Sequence, residues 1–168
     1  MMSGGFLERI NGGVSMSDSR QHDGTPRGGS PEEAIRAYVA AWNAHDSSAT
    51  VRCLAPGGTY IDPMLPEPIA GDDFARYVES LAEAFPDVAF ASEDIIVRGD
   101  RAVLQWRMTG TNTGPLPEFP GPTGRAVDVP GVDIIDVGPD GIVKIVGYFD
   151  QVTFFRQLGV ELQPASGA

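Results

Sequence analysis

The stretch Gly147–Val160, GYFDQVTFFRQLGV, decides how the chain is read, because a hydrophobic strand runs into an acidic residue and a short amphipathic helix then closes the fold. A carboxylate at the end of an apolar strand costs free energy if it is buried without a partner. An apolar wall raises the pKa of such an acid toward neutral, as in many catalytic sites. The alternative is that Asp150 caps the helix that follows it, as Asp often does. Both interpretations are open at this point.

Four strand-like runs precede this closing helix, at residues 88–97, 101–113, 125–137 and 142–150. The compact reversals at residues 98–100 and 138–141 predict antiparallel hairpins. Pro130-Gly131 interrupts the third run and predicts a bulge that bends the sheet. The proline-rich segment at residues 114–124 is stiff and long enough to act as a lid.

The first half of the chain has helical periodicity. Ser30-Pro31-Glu32-Glu33 forms a capping box, which predicts a helix through about Asn43. We expect a second helix at Ser47–Leu54, a short strand at Thr59–Asp62 and a third helix that begins near Gly71 and ends before Pro86. Helices followed by strands indicate an α+β fold, with a curved antiparallel sheet wrapped around three N-terminal helices into a cone with an internal cavity.

The composition limits the partners and the cellular compartment that fit this chain. With 12 basic and 23 acidic residues the net charge is −11, and such a surface repels nucleic acid and anionic membranes. A small molecule or a protein is therefore the expected partner. The single cysteine, Cys53, excludes an internal disulfide and fits a reducing cytoplasm. The sequence contains no His/Cys cluster and no paired-His spacing, so it predicts no metal site. Asp133 and Asp136 are interpreted as solvated.

The sequence also suggests where the ordered domain begins and ends. Residues 1–29 are rich in Gly and Ser and are interpreted as a disordered tail, in which Met16 is an alternative start. We expect residues 30–160 to form one α+β barrel domain and residues 161–168 to form a C-terminal tail.

Several short motifs in the domain occur in a recognisable order. They are Ala41-Trp42-Asn43-Ala44-His45-Asp46, Tyr60-Ile61-Asp62-Pro63, Phe85-Pro86-Asp87, Thr109–Pro115, Pro122–Arg125, Val129–Val132 and the closing Asp150 with Gln157-Leu158-Gly159. Their order and spacing resemble the SnoaL-like polyketide cyclases of the nuclear-transport-factor-two-like superfamily. The resemblance covers about residues 30–160.

This resemblance implies a function in secondary metabolism such as antibiotic biosynthesis. Its cyclases close a ring in a hydrophobic polyketide by intramolecular aldol condensation, without metal or cofactor. A strand-end aspartate before the last helix acts as the acid/base, and in this chain that position is Asp150. Asn112 stands where members often carry His, and its amide can hydrogen-bond a carbonyl or enolate oxygen although it carries no titrating proton.

The same superfamily contains other functions, which stay open as alternatives. It includes epoxide hydrolases, cofactor-free oxygenase components and non-catalytic binding subunits. An epoxide-opening site could use Arg107 with Asp150 and Asp62, although a surface ion pair also explains Arg107. Strand alternation places Gln105 and Arg107 on one face and Trp106 on the other, and leaves open which face lines the cavity. The candidate substrate-binding residues are Tyr60, Asp62, Gln105, Trp106, Arg107 and Tyr148.

The resemblance further implies a homodimer that forms through the sheet. Alternating apolar residues suit such an interface. They are Ile95, Val97, Leu104, Trp106 and Met108.

Overall fold

The structure is a computed structural model that describes residues 29–116, 119 and 121–160. The tails expected at residues 1–29 and 161–168 lie outside the described residues, apart from Gly29. Within the described ranges, none of the helices combines the length and the apolar character that crossing a membrane requires.

Three helices open the fold, as the sequence predicts. They are α1 (Pro31–Asn43), α2 (Ser47–Arg52) and α3 (Gly71–Ala84). The capping box forms as expected, since Ser30 Oγ accepts from the Glu33 amide and the Glu33 carboxylate accepts from the Ser30 amide at 2.6 Å. α3 ends one residue before Phe85-Pro86, where the proline ring prevents another helical turn.

Five strands form one open sheet. The first lies between α2 and α3 in the chain, and a short helix follows the last. The strands are β1 (Leu54–Ile61), β2 (Ala89–Arg98), β3 (Arg101–Thr111), β4 (Ala126–Gly138) and β5 (Gly141–Phe149), with α4 at Gln151–Gln157. The order across the sheet is β1-β5-β4-β3-β2, which confirms the α+β prediction and both hairpins.

The first strand differs from the sequence-based expectation in two respects. It pairs parallel to β5, whereas the other neighbouring strands are antiparallel. It also begins at Leu54, five residues before the predicted start at Thr59, because a register shift between Leu54 and Thr59 accommodates the intervening residues within the strand.

The inner face of the sheet packs against the helices and forms the core. Leu104, Trp106 and Met108 alternate inward along β3 and are buried, whereas Gln105 and Arg107 point outward. This alternation settles which face of β3 lines the interior. It also corrects the expected dimer surface, because Leu104, Trp106 and Met108 already lie in the core and are not available to a partner.

Gly131 is paired in register with Trp106 on one side and with Phe149 on the other, so the bulge predicted at Pro130-Gly131 is wrong. The glycine has a packing reason instead. A Cβ atom at position 131 would overlap Cζ2 and Cη2 of the Trp106 indole, which lies across the bare backbone. The position therefore needs glycine for close approach and not for backbone flexibility.

We expect Gly131→Ala to lower the free energy of unfolding by about 1–3 kcal/mol, since the added methyl group displaces the Trp106 ring from its buried position. Urea unfolding followed by circular dichroism measures the loss. Gly121→Ala is the matched control, because no atom lies within 4 Å of a Cβ there. Equal stability of the two variants would contradict this packing argument.

Candidate active site

A cavity of about 260 Å³ lies between the inner face of the sheet and the helices. Its lining is mostly aromatic and aliphatic, with rings from α1, α3, β2, β3 and α4. Asp62 and Asp133 are the charged residues of the described lining, and both are acidic. An apolar cavity with a few convergent polar groups is the usual form of a small-molecule site.

Asp133 is the carboxylate that this cavity perturbs most. It projects from the middle of β4 and is 5% exposed, and Trp106 Nε1 donates a hydrogen bond to its Oδ1 at 2.9 Å. Burial raises its pKa from 3.8 to about 7, the Trp106 hydrogen bond opposes that rise, and the charge of Asp62 adds to it. Asp133 can therefore both accept and donate a proton near neutral pH, contrary to the expectation that it is solvated.

Asp62 is buried in a different hydrogen-bonding environment. Its Oδ2 accepts from the Tyr60 hydroxyl at 3.0 Å and from the Tyr77 hydroxyl, and its Oδ1 accepts from the Met64 amide at 2.6 Å. Burial raises the pKa of both tyrosines well above the usual value, so they remain donors. These three donors use much of the hydrogen-bonding capacity of the Asp62 carboxylate and compensate its burial.

The two carboxylates converge on Gly147 of β5. A Cβ atom at this position would lie 3.1 Å from Asp133 Oδ1 and 3.6 Å from Asp62 Cβ, so the missing side chain leaves both acids beside one part of the cavity. Tyr38 of α1 also lines the cavity, and its pKa is raised by burial and then by the charge of Asp133. Tyr38 therefore supplies a neutral hydroxyl to the same cavity.

Asp150 does not line the cavity, and the expectation of a buried acid at this position is corrected. It is exposed at the N-terminus of α4, where Oδ1 accepts from the Thr153 amide at 2.9 Å and Oδ2 accepts from Thr153 Oγ1 at 2.6 Å. These hydrogen bonds lower its pKa, which is the opposite of the expected direction. The structure thus favours the helix-cap interpretation.

Asn112 is buried, but its amide is occupied by the backbone. Its Nδ2 donates to the carbonyls of Ala84 and Gly114, both at 3.0 Å, and its Oδ1 accepts from the Thr123 amide at 2.7 Å. The side chain therefore ties both ends of the proline-rich loop to α3 and does not reach the cavity. Phe119 of the same loop does line the cavity.

Three further predicted site residues lie on the outer face of the sheet. Arg107 forms ion pairs with Glu93 and Asp128, both at 2.8 Å. The alternative interpretation, in which Arg107 belongs to a surface ion pair, therefore fits its position. Gln105 donates to Glu93 at 3.0 Å, and Tyr148 is 56% exposed. Side chains alternate across a strand, which separates these three from the inward-facing Trp106. The Asp–Arg–Asp set considered for epoxide opening is therefore not assembled.

The remaining predicted residues do line the cavity. Tyr60, Asp62 and Trp106 all contribute to it, whereas Asp133, Tyr38 and Tyr77 were not predicted. Among the residues that the structure describes, no group of three His, Cys, Asp or Glu side chains could hold a metal ion.

The family model described as the SnoaL-like domain matches residues 35–148, and the chain therefore belongs to the SnoaL-like family. Its fold is nuclear-transport-factor-two-like. None of the curated proteins matches the chain in sequence.

Solved structures share this fold over most of their length. AclR, a proposed hydroxylase from Streptomyces galilaeus, is 22% identical with a TM-score of 0.69, over 80% of this chain and 85% of AclR. A proposed SnoaL-like polyketide cyclase from Jannaschia sp. CCS1 is 22% identical with a TM-score of 0.69, over 79% of this chain and 93% of that one. IdmH, a proposed polyketide cyclase from Streptomyces antibioticus, is 24% identical with a TM-score of 0.68, over 79% of this chain and 100% of IdmH. At these identities the likeness establishes the fold.

The raised pKa of Asp133 has a consequence for stability. Because the folded protein holds this proton more tightly than the unfolded chain, the contribution of Asp133 to stability is full below about pH 4 and is lost as the pH rises to about 7. We expect the free energy of unfolding of the wild type, relative to Asp133→Asn, to fall by about 1.4 kcal/mol per pH unit within this window.

Urea unfolding at intervals between pH 4 and pH 8 measures this difference. Asp140→Asn is the control, since Asp140 is exposed in the β4–β5 turn and its substitution should not change the slope. A difference between wild type and Asp133→Asn that stays constant with pH would show that Asp133 has the same proton affinity in both states.

Proposed function

We propose that this protein is a cofactor-independent enzyme that closes a ring in a hydrophobic, polyketide-like intermediate by aldol-type acid/base catalysis, with Asp133 as the acid/base. The observation that carries the proposal is a buried carboxylate with a pKa of about 7 in an aromatic cavity. Membership of the SnoaL-like family supports it. The lone cysteine, Cys53, is consistent with a cytoplasmic enzyme of secondary metabolism.

The proposed reaction uses both protonation states of Asp133. Its carboxylate removes a proton from the carbon next to a substrate carbonyl, and the C–H electron pair moves toward the carbonyl oxygen to give an enolate. The enolate carbon then attacks a second carbonyl carbon of the same molecule and forms the ring bond. The second carbonyl oxygen takes the proton back from Asp133 and becomes the ring alcohol. A group with a pKa near 7 suits both transfers, which contribute roughly 10²–10⁴-fold.

The neighbouring residues orient the acid and the substrate in this scheme. Trp106 Nε1 holds Asp133 Oδ1, and no described residue donates to Oδ2, which leaves that oxygen for the substrate. The Tyr38 hydroxyl lines the same cavity as Asp133 and is a donor for the enolate oxygen. The apolar walls hold a flexible substrate in one near-attack conformation, which removes a large entropic part of the barrier.

Replacement of Asp133 by asparagine tests the assignment. Asp133→Asn keeps the shape and an oxygen that accepts from Trp106, but it removes the titrating proton. We expect this variant to bind product with similar affinity and to lose roughly 10²-fold or more in kcat. Single-turnover kinetics with a linear polyketide-type diketone, together with product binding, measure the two quantities.

Asp150→Asn is the matched control for this experiment. It makes the same chemical change at the exposed cap of α4, where asparagine caps a helix almost as well as aspartate, so turnover should stay near the wild-type value. Normal turnover by Asp133→Asn, together with loss of turnover in Asp150→Asn, would show that Asp150 is the catalytic acid and contradict the proposal. Product binding by a wild-type protein without turnover would support a non-catalytic binding subunit.

We also propose that the protein is a homodimer that assembles through the outer face of the sheet. Apolar residues in register form a row across all five strands of this face, and Ile96 at one end is 60% exposed. The row consists of Ile61, Val146, Ile134, Val103 and Ile96. An apolar patch of this kind suits a self-complementary two-fold contact.

Light scattering at micromolar concentration tests this assembly. The wild type should have the mass of a dimer, and Ile96→Glu should shift it toward the monomer because a charge enters the row. Val143→Glu is the control, since Val143 is 48% exposed but lies outside the row. A wild-type monomer would contradict the proposal.

A further inference from the structure

The cavity combines two acidic side chains with no basic side chain in its described lining. Neither Asp62 nor Asp133 forms a salt bridge with another described residue. A buried carboxylate is costly unless hydrogen bonds or a positive charge compensate it. Asp62 receives three donors, but Asp133 receives one from Trp106. The described lining therefore leaves the charge of Asp133 largely uncompensated when it is ionised.

Aromatic rings cover the wall around these acids. Trp42 and Phe90 lie 5.3 Å apart between ring centroids, Phe90 and Trp106 lie 5.6 Å apart, and both pairs meet edge to face. All three residues line the cavity. The face of an aromatic ring attracts a cation, most strongly for tryptophan and in a desolvated site. The carboxylates and the aromatic rings thus both favour a positively charged ligand.

We propose that the cavity binds ligands that carry a positively charged nitrogen, which lies among the carboxylates of Asp62 and Asp133 and the rings of Trp42 and Trp106. The inference uses the same cavity as the proposed function, on which it rests, and it narrows the substrate class to polyketide-like molecules that carry a basic amine. An anionic ligand would face two carboxylates, and the described lining has no basic side chain to offset their repulsion. The net charge of −11 also favours the approach of cations.

Phenyltrimethylammonium and its uncharged carbon analogue, tert-butylbenzene, test the charge preference, because they have nearly the same shape. Both tryptophans of the chain line the cavity, so their fluorescence reports occupancy. At pH 8 we expect the wild type to bind the cation at least about tenfold more tightly than the hydrocarbon. Equal affinity, or tighter binding of tert-butylbenzene, would overturn the proposal without the need for any variant.

The pH dependence identifies the counter-ion. Groups from four elements face Asp133, namely Tyr38 on α1, Tyr60 on β1, Tyr77 on α3 and Trp106 on β3. Asp62 faces it from the segment that follows β1. The tyrosines stay neutral between pH 6 and pH 8 because burial raises their pKa well above the usual value.

A quaternary ammonium does not titrate, so a change in its affinity reports on the protein. Since Asp133 loses its proton near pH 7, the Kd of phenyltrimethylammonium should be about tenfold higher at pH 6 than at pH 8. In Asp133→Asn this dependence should disappear, whereas Asp62→Asn should weaken binding at both pH values. A wild-type Kd that does not change with pH would remove Asp133 as the counter-ion and overturn the proposal.

The inference and the proposed function can fail separately. A cation preference in the wild type, together with normal turnover of Asp133→Asn, would support the inference and refute the proposed acid. Loss of turnover in Asp133→Asn, with no preference for phenyltrimethylammonium over tert-butylbenzene, would support the acid and overturn the inference.

Discussion

The hydrogen bond from Trp106 Nε1 to Asp133 Oδ1 is the interaction on which the rest of the site depends. It can form only because Gly131 leaves the backbone of β4 bare, so that the indole lies across it. The same ring forms part of the cavity wall and packs edge to face against Phe90. One side chain thereby fixes the strand contact, the shape of the cavity and the orientation of the acid, so a change at any of these three points affects the other two.

Asp62 and Asp133 show how hydrogen bonding divides the roles of two buried acids. Asp62 accepts from two tyrosine hydroxyls and one amide, and these hydrogen bonds compensate its burial. Asp133 has one donor, and desolvation therefore dominates and raises its pKa to about 7. The charge of Asp62 adds to that rise. The fold thus gives up some stability at neutral pH to keep one acid near its titration point, as functional sites commonly do.

Local signals in the sequence predicted most of the fold, whereas the acid of the site depends on how strands are buried. The capping box at Ser30, the stop before Pro86 and the two hairpin turns are decided by neighbouring residues, and the structure confirms them. Asp150 follows an apolar strand, but the strand ends at the surface, which the local sequence does not show. The position of Asp133 had a usable signal, because Val129, Gly131, Asp133 and Ile135 alternate on one face. The partnership of Asp62 with Tyr77 had none, since it joins the residue after β1 to α3 through tertiary packing.

Acidic residues pair with arginines on the outer face of the sheet but face no basic side chain in the described cavity lining on the inner face. This difference explains the chemistry of the cavity. On the outer face Arg107 pairs with Glu93 and Asp128, and Arg101 pairs with Asp136 at 2.6 Å. These carboxylates are accessible to water, and such pairs contribute little beyond local charge balance. On the inner face the described lining supplies two acids and no arginine or lysine. Because a low-dielectric environment strengthens every charge interaction, the inner acids, which face no basic side chain in the described lining, dominate the potential that a bound molecule meets. The pKa of Asp133 near 7 and the preference of the cavity for positively charged ligands are therefore two results of the same distribution of charge across one sheet.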